Sequence, residues 1–200
     1  TKVKGSAEAT FETGKGAVRY TVIAPELEAT GDGLIEAGND EFIEIVNLTG
    51  AEQDISNWAL ADGATVRHLF LPGTIVADNC AVVVFGEGGA DLPESGALIQ
   101  AASSGTLDLD DNGDTVSFSN EAGETLALVT YSGADAAGQS LVRSPDLEGD
   151  FLPHSEADGS GGESFSPGTR LDGGRFQGCP EVAGVPDSIE IWEIQGPGMS

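Results

Sequence analysis

The segment from Glu28 to Asp40 (EATGDGLIEAGND) comes closest to a pattern that could do chemistry. Carboxylates and a hydroxyl alternate with glycine, and a hard cation such as calcium needs several oxygen ligands on a sharply turning chain. Set against a calcium-binding loop, Glu28, Thr30, Asp32, Glu36 and Asn39 fall on side-chain ligand positions. The Leu34 carbonyl supplies the backbone ligand, and Asp40 closes the segment. Gly33 would make the turn and Ile35 would pack inward. Only Asp32 is of the favoured type, and Asn39 stands where a bidentate glutamate closes tighter loops. Such a site would be weak, of the millimolar class. The alternative is an ordinary acidic surface turn.

Catalytic constellations are harder to assemble. His68 falls in an expected strand and His154 in a polar tail, so a base and a nucleophile would have to come from distant parts of the chain. Both read as ordinary surface or partly buried histidines. There is no G-x-S-x-G elbow, phosphate-binding loop, zinc-spaced His/Cys set or dinucleotide fingerprint. Two neighbouring carboxylates say little in a chain that holds 34 acids. The acidic stretch 108–114 uses the Asp, Asn and Gly that any tight turn uses.

The elements that would position such residues read as short strands. Glu41 to Leu60 (EFIEIVNLTGAEQDISNWAL) organises the rest: a strand over 42–46, a turn at 47–50, and a segment anchored by a buried Trp58. Ala17 to Ala24 is a strand ended by Pro25, and Val66 to Leu71 is another, broken at Pro72-Gly73. Ala81 to Phe85 (AVVVF) is continuously apolar, as a central strand covered on both faces must be. Residues 86–104 read as loop. Leu107 and Leu109 lead through the turn at 111–114 into Thr115 to Ser119, and Leu126 to Tyr131 returns as a meander. After the short strand Leu141 to Arg143 comes a Gly/Ser/Pro-rich acidic tail. In it Phe151, Phe165 and Phe176 could pin the chain to the core, whereas Ser155 to Glu163 reads as mobile. Ser188 to Ile194 alternates again as a strand. The fold class is all-β.

Charge narrows the partners. With 8 Lys+Arg against 34 Asp+Glu the net charge is -26, which repels nucleic-acid phosphates and anionic membranes. No apolar run reaches the ~20 residues of a membrane span. Cys80 and Cys179 could pair in an oxidising compartment or remain two unrelated thiols.

Four features together resemble the lamin tail domain: the strand ending in Asn47, the Trp58 segment, the Phe70–Gly73 bend and the G-D-T-V hairpin at 113–116. The resemblance covers about residues 17–143. GQSLVRSPDLEGDFLPH and FSPGTRLDG further on resemble the end of the prokaryotic, secreted version. It implies an immunoglobulin-like β-sandwich without catalytic activity, extracellular or on the cell surface, binding a protein, glycan or envelope partner. IEIWEIQGPG near the end is similar to segments that open nuclease or phosphatase regions of extracellular multidomain enzymes. The expected layout is therefore an extension or preceding-domain remnant over 1–16 and the sandwich with its extended segment over 17–178. Residues 179–200 would be a linker and the first strand of a following, catalytic domain. Nuclear, filament and chromatin roles do not fit the acidity. A secreted phosphoesterase with its active site beyond this chain, and a calcium-dependent adhesion module, are the competing expectations.

Overall fold

The computed structural model of the protein describes residues 17–23 (as backbone), 40–86, 92, 95–110, 112–132 and 138–181. Along them run β1 (Ala17–Ile23), β2 (Phe42–Leu48), β3 (Gln53–Asp54), β4 (Ala59–Asp62), β5 (Thr65–Leu69) and β6 (Ile75–Val76). These are followed by β7 (Ala81–Phe85), β8 (Leu98–Ala101), β9 (Gly113–Ser119), β10 (Thr125–Ser132), β11 (Ser140–Ser144) and β12 (Asp150–Pro153). A 3-10 turn, His154–Glu156, comes last among the described residues. One sheet has the order β12-β11-β1-β2-β7-β8, a second β10-β9-β4-β5, and β3 pairs β6 separately. All pairings are antiparallel except that of β7 with β8. The fold is an all-β, immunoglobulin-like sandwich.

Its core explains the run AVVVF. Residues 81–85 are each 0% exposed because β7 has partners on both edges and cover on both faces. Ala81, Val82 and Val84 join the main core with Leu60, Val116, Phe118 and Val129 from the second sheet. Val83 and Phe85 join Phe42 in a smaller cluster against which Phe165 and Ile99 pack. Phe165 belongs to the C-terminal segment, so the tail is a strap that supplies the outer layer of the larger sheet.

That strap is tied down at several points. Cys80 and Cys179 form a disulfide with a Cα–Cα distance of 4.5 Å, so the pairing left open by the sequence is present. Beside it, Gly178 N–H donates to the Asn79 carbonyl at 3.0 Å, and a Cβ on Gly178 would overlap the Asp78 carbonyl oxygen. Only glycine lets the strap lie this close. Phe176 is buried in the main core, and Arg170 Nε pairs with Asp146 at 2.7 Å.

Several expectations are corrected. Residues 98–101, read as loop, form β8 alongside β7, because Leu98 and Ile99 pack on the two core clusters. Leu107 and Leu109 are buried without forming a strand. Ser155 to Glu163 is not a mobile stretch: it holds the 3-10 turn, buries Ala157 and Ser160, and offers the Glu163 carbonyl to His154. The strand expected over 66–71 ends at Leu69, where the Pro72-Gly73 bend begins.

Trp58 differs in degree. Its indole packs on Phe118 with ring centroids 5.3 Å apart, and Phe118 in turn meets Phe70 edge-on at 5.8 Å. Yet Trp58 is only half-buried, just ahead of β4 rather than at the centre of the core. A buried Trp→Ala change costs ~3–5 kcal/mol, and a half-exposed ring removes less area from water. Trp58→Ala is expected to destabilise the fold by about 2 kcal/mol, read from the urea midpoint. A loss at the top of the fully buried range would mean that the ring sits deeper than this.

Candidate functional site

Of the candidate calcium ligands, Glu28, Thr30, Asp32, Leu34, Glu36 and Asn39 lie outside the described residues. Asp40 is described and buried at the entry to β2. Among the described residues, no group of three or more His, Cys, Asp or Glu side chains is placed to hold a metal ion.

The polar constellation that the sequence did not reveal lies under the strap. Glu44 projects from β2 toward the strap and is 5% exposed. Its Oε2 accepts the Gly168 N–H at 2.6 Å, and it lines a cavity of about 20 Å³ with Asp146, Ser166, Thr169 and Phe176 among its neighbours. That is room for a single water-sized group. Burial pushes the Glu44 carboxyl up to about 8, with the Gly168 N–H opposing and the Asp146 charge adding to the rise. A glutamate in the middle of an apolar strand reads from sequence as solvent-facing, because the layer covering it comes from residues more than a hundred positions away.

His154 sits beside this cavity, fully buried rather than in a loose tail. Its Nδ1 lies 2.8 Å from the Glu163 carbonyl, which can only accept, so Nε2 is left to accept the Ser166 hydroxyl at 2.8 Å. Burial holds the imidazole below its ordinary pKa, so it is neutral at pH 7. The geometry superficially matches a nucleophile and its base. A carbonyl occupies the place of the orienting carboxylate, however, and the nearby Gly168 N–H is committed to Glu44. The pair stitches the strap to itself.

His68 is likewise a packing histidine, 2% exposed and edge-on to Phe70. Nδ1 accepts the Ser103 N–H, Nε2 meets Gln100 Oε1 at 2.9 Å, and Gln100 passes the chain on to Thr74. Burial lowers its pKa too. This network closes the gap between β5 and β8, the edges of the two sheets.

One end of the sandwich gathers acids. Arg67 pairs with Asp62 at 2.9 Å and with Asp108, Tyr131 donates to the Asp110 carbonyl at 3.0 Å, and Glu41 Oε2 accepts the Leu109 N–H. Burial, together with a hydrogen bond to Asp62, raises Asp114. A guanidinium and backbone donors already serve this cluster.

The outward face of the second sheet carries a different signature. In register, Leu128 of β10, Ser117 of β9, Ala61 of β4 and Val66 of β5 form one row, and Thr125, Ser119, Ala59 and Leu69 form the next. None of these residues is charged, in a chain with a net charge of -26. Val66, Leu69 and Leu128 are 53%, 46% and 44% exposed.

Two comparisons bear on identity. A search of curated proteins finds no match for the chain. The model of the lamin tail domain family matches residues 21–133, more than half the chain. That region spans β2 through β10, the Asn47 strand end, the Trp58–Phe118 contact and the 113–116 hairpin. Lamin tail domains are non-catalytic immunoglobulin-like modules, which agrees with histidines and buried acids committed to packing. The chain belongs to the lamin tail domain family.

Proposed function

We propose that this chain is a non-catalytic binding and positioning module of a larger secreted or cell-surface protein. The Cys80–Cys179 bond carries the reading. Disulfides that tie a domain together persist in oxidising compartments and are rare in the cytosol, and this one anchors the C-terminal strap that packs Phe165 and Phe176 against the core. The acidic surface supports the same reading, since it keeps such a module soluble and away from nucleic acid. A module of this kind would hold a protein, glycan or envelope partner, or orient a catalytic domain in the same protein.

Two measurements test it. Protein recovered from its native fraction should show no free thiol without denaturation and reduction. The chain itself should hydrolyse a phosphodiester such as bis(p-nitrophenyl) phosphate no faster than buffer. A reduced pair in the native fraction removes the extracellular assignment. Hydrolysis lost on Ser166→Ala would make the strap a catalytic site and overturn the non-catalytic one.

A further inference from the structure

The uncharged outer face of the β10-β9-β4-β5 sheet has the profile of a trough. Leu128 and Val66 stand on the two edge strands, with the small Ser117 and Ala61 between them. Three strand spacings separate the edges, about 14 Å, and an α-helix with its side chains is ~10–12 Å across. Along the strands the trough runs about five residues, roughly 17 Å, or three helical turns. Acids stand at both ends. Glu121 and Glu124 are exposed in the turn joining β9 to β10, and Asp110 is exposed at the opposite end, beside Asp108, which Arg67 already pairs.

Resting on the reading of this chain as a binding module, we propose that the trough docks an amphipathic helix of a protein partner, about three turns long, with an apolar stripe and Lys or Arg in its first and last turns. Charge complementarity selects this occupant. An uncharged floor desolvates at little cost under apolar side chains, while Glu121 and Glu124 at one end and Asp110 at the other meet the cations. A second copy of the chain would instead bring Glu121, Glu124, Asp108 and Asp110 against like charges. An anionic or fully polar segment would either be repelled or leave Leu128 and Val66 uncovered.

The test uses a dye-labelled peptide of about four helical turns, with leucines at helical spacing and two lysines at each end, followed by anisotropy in ~0.15 M salt. The informative variants are Leu128→Glu and Val66→Glu. Each adds negative charge and so strengthens any general attraction of the peptide to a polyanion, yet each places a carboxylate under the apolar stripe. Saturable binding is expected, weakened at least tenfold in either variant while the unfolding temperature stays within a few degrees, and lost when the leucines become serines. Equal or tighter binding by the glutamate variants would show mere polyanion attraction and overturn the proposal. So would the absence of binding at millimolar peptide, or a wild-type dimer that Leu128→Glu dissociates. None of these outcomes touches the thiol and hydrolysis tests, so a failed helix site and a failed module assignment remain distinguishable.

Discussion

Replacing Cys80 and Cys179 by serine should lower the stability of the fold by roughly 4–5 kcal/mol. The bond spans 99 positions. In the chain-entropy account, cross-linking a loop of about a hundred residues restricts the unfolded ensemble by ~4.7 kcal/mol. For a chain of this size that corresponds to a drop of about 10–15 °C in the unfolding temperature. The native side of the balance changes little, because Phe176 and the Gly178–Asn79 hydrogen bond still hold the strap. The measurement is urea unfolding of the double serine variant beside wild type with and without reductant. Reduced wild type should coincide with the variant. A loss under ~1 kcal/mol would mean that the reduced chain keeps the two ends together when unfolded, or that the strap contributes little to the cooperative unit.

How much of this architecture could be read beforehand depended on whether the determining contact was local. AVVVF announced a strand covered on both faces, since no half-exposed strand tolerates five consecutive apolar residues. The 113–131 hairpin followed from Asn and Gly between alternating runs. Four motifs in order sufficed to place the chain in its family. By contrast, LIQA at 98–101 is too short and too plain to stand out, and it becomes a strand only because β7 offers it an edge. The strap is the clearest case. Its Gly, Ser and acidic composition looks like a solvated tail, and its order comes from Phe165, Phe176 and Cys179 reaching partners elsewhere in the fold and from His154 tying the segment to itself. For the same reason Glu44 appeared solvent-facing and His154 incidental. The uncharged sheet face was equally hidden, because it appears only when β10, β9, β4 and β5 are laid side by side in register.

Glu44→Gln is expected to stabilise the protein, increasingly so as pH rises. The Glu44 carboxyl titrates near 8 in the folded chain against an ordinary 4.5. Below about 4.5 both folded and unfolded states carry the proton and the group has no effect. Between these values the unfolded chain releases a proton that the folded chain keeps, so stability falls with rising pH by ~1.4 kcal/mol per unit. The loss is on the order of 3 kcal/mol at pH 7 and levels off above about 8. The groups facing the carboxyl do not remove this penalty: Asp146 adds to it, Arg170 is committed to Asp146, and Arg143 lies over the Phe151 ring while donating to the Gly149 carbonyl. Glutamine keeps an oxygen for the Gly168 N–H and does not titrate. The difference in urea midpoint between variant and wild type should therefore be near zero at pH 4.5 and should widen steadily to pH 8. Because both proteins share every other acid, the difference isolates Glu44 from the general effect of a net charge of -26. A difference that stays flat across this range would mean that solvent or a cation reaches the carboxyl beneath the strap and that it ionises at its ordinary pH. In that case the strap opens in solution far more readily than its disulfide, its glycine contact and its buried phenylalanines imply.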